Sequence, residues 1–279
     1  MIYISTSCLK NPKNMIMVLE KFQKAGIQNV ELGSVHEYFN IKSLKRFRFN
    51  FLIHNYFPPP KNSFNFNLSS QNESIRSRSL RLAEGAIDLC CEVESPLYTF
   101  HAGFTVDPSN LGKPFPKNNI TQRKLAVFTY INSVRKLLDF ANGRGVKIAM
   151  EPNVVQKFNL VNGKNKLCLF ADYSEIDFLF KSIKREKLGL LLDLGHTAVT
   201  SFWLKYDKDD FVKKCKNKVF AIHLSNNNGH QDQHKSLTNK CWQISKLKLF
   251  KQIPIILETY NLTIDQIKTN MRITQDAIS

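Results

Sequence analysis

Eight short runs rich in β-branched, aliphatic and aromatic residues recur along the chain, and longer stretches with three-to-four-residue apolar spacing separate most of them. The runs lie at 2–6, 29–33, 49–54, 97–103, 147–152, 188–196, 218–225 and 254–259. The spacing between them predicts helices over 13–25, 72–93, 121–142, 173–184, 207–215 and 263–277. Strand alternating with helix calls for a parallel sheet covered by helices, and the almost unbroken apolar LGLLLDL inside 188–196 requires burial on both faces, as such sheets do. Eight strand-helix units in 279 residues match a single (β/α)8 TIM barrel, one domain over residues 1–279. A doubly wound open sheet is the alternative.

Composition supports a packed interior, since 43% hydrophobic residues with 21 Phe exclude a disordered chain. No apolar run approaches the ~18 residues a membrane helix needs, so no membrane partner is expected. The six Cys are too few for a disulfide scaffold and contain no C-x-x-C pair, which points to reduced thiols and a cytoplasmic protein. Net charge is +17, yet the basic residues are spread over stretches such as Lys42 to Arg48 and Lys181 to Lys187, as expected of solvated helix faces.

In a barrel of this kind chemistry sits at the C-terminal ends of the strands. Those positions hold His54, His101, Glu151, Asp193 with His196, His223 and Glu258, and Asp232 and His234 follow just beyond the seventh strand. Five of the seven histidines therefore lie at or past a strand end, and each strand from the third to the eighth supplies a metal-type ligand. A ring of buried carboxylates and imidazoles without a cation carries heavy desolvation and like-charge costs, which a divalent metal offsets. Nitrogen and oxygen donors without Cys suit Zn²⁺ or Mn²⁺.

The segments H-N-Y-F…F-N-L-S-S (54–70), F-H-A-G (100–103), M-E-P-N (150–153), L-D-L-G-H (192–196), I-H-L-S (222–225), D-Q-H (232–234) and I-L-E-T (256–259) resemble the xylose isomerase-like TIM-barrel superfamily. That group includes endonuclease IV and the sugar-phosphate isomerases and epimerases. The resemblance runs in order over essentially the whole chain. Endonuclease IV is similar at nine metal-ligand positions, which fall here on His54, His101, Glu151, Asp193, His196, His223, Asp232, His234 and Glu258, and the resemblance implies up to three zinc ions. The isomerases and epimerases imply a single Mn²⁺-type ion on Glu151, Asp193, His223 and Glu258.

The two branches give the same residues different work. Isomerisation or epimerisation needs a carboxylate on each face of a carbon beside a carbonyl, here Glu151 and Glu258, with His196 on a substrate hydroxyl. Phosphoester hydrolysis needs closely spaced zinc ions, and it alone employs His54, His101, Asp232 and His234. Against abasic-site cleavage stand the short Glu31 to His54 stretch, a poor match for a DNA wedge, and the missing glycines after Asp232-Gln233-His234. A sugar or sugar phosphate is thus the expected partner, with nucleic acid second; a degenerate scaffold barrel ranks last because no ligand is lost. Oligomeric state is open.

Tyr56, Phe57, Phe64 and Phe66 flank His54 and are expected mostly to pack their loop, whereas Trp203 is placed either to pack or to stack on a ring. Cys90 and Cys91 are read as core. His36 is read as a surface or loop residue, and His230 as a substrate contact.

Overall fold

The computed structural model describes residues 1–108, 113–250 and 252–279. Strands β1 (Ile2–Ser5), β2 (Asn29–Leu32), β3 (Asn50–His54), β4 (Leu97–His101), β5 (Lys147–Glu151), β6 (Leu188–Asp193), β7 (Val219–Leu224) and β8 (Ile255–Leu257) pair in parallel in chain order. β8 pairs with β1, so the sheet closes into a (β/α)8 barrel and the open doubly wound alternative is excluded.

Helices α1 (Met15–Lys24), α2 (Glu73–Glu92), α3 (Arg123–Ala141), α4 (Tyr173–Ser182), α5 (Leu194–Leu204), α6 (Lys208–Cys215), α7 (Trp242–Lys246) and α8 (Ile264–Ile278) surround it. The six predicted helices fall within two residues of observed ones. Side-chain caps set several starts, among them Asn72, whose Oδ1 accepts from Ser74 N at 3.0 Å.

The run expected to be one strand over 188–196 is corrected. β6 stops at Asp193 and α5 starts at Leu194, because Asp193 turns its carboxylate back to accept from His196 N at 2.7 Å. Leu194 is as buried as the strand before it, and a buried run carries no period that separates strand from helix. α7 is only five residues long and left no periodic signal.

Alternation along the strands sorts side chains into two sets. Ile4, Val30, Ile53, Tyr98, Ile148, Leu192 and Ile222 belong to the large core shared with the helices, where they meet residues such as Val18, Phe22, Ala83 and Val134. Tyr3, Leu52, Leu97, Ala149, Leu191, Ala221 and Ile256 form a separate apolar cluster inside the barrel. Two residues further along the same strands come Ser5, His54, Thr99, Glu151, Asp193, His223 and Glu258, so the polar site stands on an apolar floor.

Candidate metal centre

All nine residues singled out at the strand ends converge at the C-terminal mouth. Glu151 sits at the centre with no exposed surface. Its Oε2 lies 3.2 Å from His101 Nδ1 and 3.5 Å from His54 Nε2. Its Oε1 lies 3.1 Å from His196 Nδ1 and 3.6 Å from His223 Nδ1. His223 Nδ1 also faces Glu258 Oε2 at 3.2 Å and Asp193 Oδ2 at 3.9 Å. On the outer side Asp232 Oδ2 stands 3.3 Å from His196 Nε2 and 3.2 Å from His234 Nε2.

Of these contacts, the one between His234 Nε2 and Asp232 Oδ2 is a hydrogen bond. Glu151 Oε1 and Oε2, Asp193 Oδ2, His196 Nδ1, His223 Nδ1 and Asp232 Oδ1 are buried and have no hydrogen-bond partner among the described residues. Buried polar atoms normally find partners, so six unpartnered atoms in one cluster fit the donor set of a cation. The donor set fits a divalent ion of Zn²⁺ or Mn²⁺ type. Ligand atoms of His54, His101 and Glu151, of Asp193, His223 and Glu258, and of His196, Asp232 and His234 form three triads, each within 4.8 Å.

Charge coupling across the cluster is strong. Burial raises Glu151, but His101 and His223 outweigh it and hold its carboxyl well below the usual carboxylate range. Burial likewise opposes a depressed Glu258, which His223 nevertheless brings to about 2. Asp193 goes the other way, with burial pushing it up to about 6. Burial disfavours charge on His196 and His223, yet Asp193 and Asp232 lift the first, and Glu31 and Glu258 the second, well above the ordinary imidazole range. His234 is raised to about 9 by Asp232 against its burial. His101 is pushed down, to about 4, chiefly by burial.

Local structure fixes several of the rings. His54 Nδ1 pairs with Thr99 Oγ1 at 2.8 Å, leaving Nε2 for the site. His234 holds a left-handed φ of 45° and Asn55 one of 55°, backbone conformations that side chains rarely adopt and that concentrate at functional sites. His196 stands on the first turn of α5 and not on a strand. Gly195 beside it has no room for a side chain, since a Cβ would lie 2.7 Å from Ser225 Oγ.

The mouth opens into a cavity of about 740 Å³. Six of the nine, His54, His101, His196, Asp232, His234 and Glu258, line it, together with amides including Asn55, Asn153, Gln156 and Gln233 and the aromatic rings of Phe104, Phe115, Trp203 and Tyr260. Lys157 is the one Lys or Arg among the described residues that line it. Trp203 donates from Nε1 to His230 O at 2.8 Å, and both residues border the cavity. Tyr56, Phe57, Phe64 and Phe66 do not line it; Phe57 is fully buried, and Tyr56 packs on Phe64 with ring centroids 5.3 Å apart.

Two expectations are corrected. His36 does lie in a loop, but it is 7% exposed, with Nε2 bonded to Thr6 Oγ1 at 2.7 Å. Cys91 is exposed and only Cys90 is core, because their shared helix turns adjacent residues to different faces. All six cysteines are free. Sequence reasoning missed two neighbours of the site. Tyr260 stacks on His234 with centroids 4.0 Å apart and sets its hydroxyl 3.5 Å from Glu258 Oε1. Glu31, 1% exposed, puts Oε2 2.8 Å from His223 Nε2. A carboxylate at the inward position of the buried strand NVEL was the signal for it.

The closed parallel barrel with its ligand-rich mouth defines a class of TIM-barrel proteins. Residues 40–277 match the family model of the xylose isomerase-like TIM barrel, and the chain belongs to that family. It is 23% identical to an uncharacterised protein of Methanocaldococcus jannaschii over 172 residues, covering 60% of this chain and 50% of that protein. It is 28% identical to apurinic-apyrimidinic endonuclease 1 of Plasmodium falciparum over 265 residues, covering 88% of this chain. The chain thus spans 50% and 39% of the length of these two curated relatives. Among solved structures, a D-tagatose 3-epimerase-like protein superposes with a TM-score of 0.73 at 16% identity, covering 100% of this chain and 99% of that one. No helix among the described residues is long and apolar enough to cross a membrane.

Proposed function

We propose that residues 1–279 act as one domain, a divalent-metal-dependent isomerase or epimerase working at the carbon beside a carbonyl of a small sugar or sugar phosphate. The observation that carries this reading is the convergence of Glu151 and Glu258 on His223 Nδ1, at 3.6 and 3.2 Å, with Glu258 lining a cavity of about 740 Å³ whose walls include amides and aromatic rings. Glu151, Asp193, His223 and Glu258 are the residues that would hold the ion. When bound there, it supplies Lewis-acid polarisation of substrate oxygen.

The chain's own groups do the rest. Glu151 and Glu258, from strands three places apart around the barrel, serve as the pair that withdraws a proton from carbon and returns one. His196, between Glu151 and Asp232, donates to a substrate hydroxyl. Wall amides orient hydroxyls, and the aromatic rings shed water from the apolar face of a sugar. With Lys157 as the lone lining Lys or Arg among the described residues, charge-assisted anchoring of a phosphate is sparse there, which favours the unphosphorylated end of the substrate range. The cytoplasm is the compartment that free cysteines suit.

A second reading, phosphoester hydrolysis with up to three Zn²⁺, draws on the two triads that a single four-ligand ion leaves idle, His54 with His101 on Glu151, and His196 with Asp232 and His234. The likeness to the Plasmodium endonuclease agrees with it. A nucleic acid would need phosphate neutralisation around the mouth, and among the described residues lining the cavity Lys157 is the one Lys or Arg that offers it.

One preparation separates the readings. Protein purified without chelator, with its metal counted, is incubated with ketoses and ketose phosphates in deuterated water and, in parallel, with a simple phosphodiester and abasic DNA. About one metal ion per chain with deuterium gained beside the carbonyl upholds the isomerase reading. About three zinc ions with zinc-dependent phosphodiester cleavage, or efficient nicking at abasic sites, overturns it in favour of hydrolysis.

A further inference from the structure

We infer that Glu31 is the positioning residue of the centre, a buried carboxylate that fixes which nitrogen of His223 faces the metal ligands; this rests on the metal reading above. Glu31 pairs in register with Ser5 on β1 and Leu52 on β3, which puts its side chain inside the barrel beside the apolar floor. It is the one acidic side chain among the described residues that reaches the site from β1 or β2.

Its only ion-pair partner among the described residues is His223, at 2.8 Å, with both side chains at most 1% exposed. A carboxylate can only accept, so the ring carries its hydrogen on Nε2 and, when neutral, its lone pair on Nδ1. Nδ1 is the atom that faces Glu151, Asp193 and Glu258. The opposite tautomer would aim an N–H at three carboxylates and leave no lone pair for a cation.

Stability does not account for Glu31. Its Oε1 is buried with no partner among the described residues, and a carboxylate half satisfied in an apolar barrel costs more than a well-packed apolar residue. A carboxylate bonded to the far nitrogen of a metal-binding imidazole sets ring orientation and basicity, and its loss typically weakens metal affinity about 10–100-fold.

Glu31→Gln and Glu31→Leu test this with Mn²⁺ and Zn²⁺ as probes, by competition titration against a chromophoric chelator. Beside it runs long-range ¹⁵N–¹H NMR of histidine-labelled, metal-free protein at alkaline pH, where the ring of His223 is neutral and has a tautomer to read, and where only seven histidines give signals. The expected result is the Nε2–H tautomer for His223 in the wild type, a mixture in Glu31→Leu, and metal binding about 10–100-fold weaker, with Glu31→Gln partly rescued through its amide oxygen. Unchanged tautomer and affinity in both variants would overturn the inference. So would a lowered melting temperature with unchanged affinity, which marks a merely structural role. If Glu31→Leu fails to fold, Glu31→Gln decides by the same two readouts. Should the wild type take up neither ion, the metal reading falls, and the tautomer readout alone upholds or overturns the hold of Glu31 on His223.

Discussion

The floor and the mouth of this barrel are built from the same strands two residues apart, and they obey opposite rules. The floor, Tyr3, Leu52, Leu97, Ala149, Leu191, Ala221 and Ile256, is apolar and buried, and its residues contact one another directly. The mouth, buried except for partly exposed His101 and Asp232, packs four carboxylates against five imidazoles and leaves six of their atoms without a hydrogen bond among the described residues. Burial at the floor stabilises the fold through the ~25 cal/mol/Å² that apolar area contributes. Burial at the mouth costs desolvation that only a cation and opposite charges offset. The lesson is that the strand pleat separates stability from chemistry over about 7 Å of chain, so each can be perturbed alone.

The largest expected effect breaks the mouth. Glu151→Gln removes the charge that four histidines share, and metal affinity should fall by more than the about 10–100-fold typical of a supporting residue. Metal content after dialysis measures it, and retention of the wild-type stoichiometry would show that Glu151 is no ligand.

The complementary change breaks the floor. Leu191, with no exposed surface, should cost about 2–5 kcal/mol of unfolding free energy as Leu191→Ala while metal stoichiometry in the folded protein stays the same. Denaturant melts and metal analysis check both halves. A variant that lost metal without losing stability would erase the distinction between the layers.

pH sharpens the contrast further, because the floor carries no titrating group near neutrality. In metal-free protein His196, His223 and His234 have raised values, so their protonated forms stabilise the fold; the contribution is complete below about 6.5 and, for His234, is lost as pH rises through about 9. Chelator-treated protein should therefore melt at lower temperature at pH 9 than at pH 6.5. Metal competes with those same protons, so its affinity should rise across that window by up to about tenfold per pH unit for each proton displaced. Affinity that is flat between those pH values would mean that the imidazoles enter the site already neutral.

The smallest effect probes the rim. Tyr260→Phe deletes a hydroxyl 3.5 Å from Glu258 Oε1 and keeps the ring on His234. Turnover should change by no more than about 1 kcal/mol in barrier, with metal content and melting temperature unchanged. A large loss would move Tyr260 from the wall of the cavity into the reaction itself.

The sequence by itself determined the alternation of strand and helix, the eight units and the nine mouth residues, because strand period and terminal position are local properties that one chain displays. The same locality explains the misses. LGLLLDLGH hides the switch from β6 to α5, since burial on both sides erases periodicity and the turn depends on one Asp193 bond to a backbone amide. His36 is polar and sits in a loop, and only the packing of that loop over Thr6 buries it. Glu31 was legible as an oddity in an apolar strand but not as a partner of His223, 192 residues away. Tertiary structure alone decided that β8 returns to β1, which turns scattered strand ends into one ring. Only closure brings both oxygens of Glu151 to four imidazoles and leaves their ligand atoms facing the same space, since that convergence depends on strand tilt and register summed around the whole barrel.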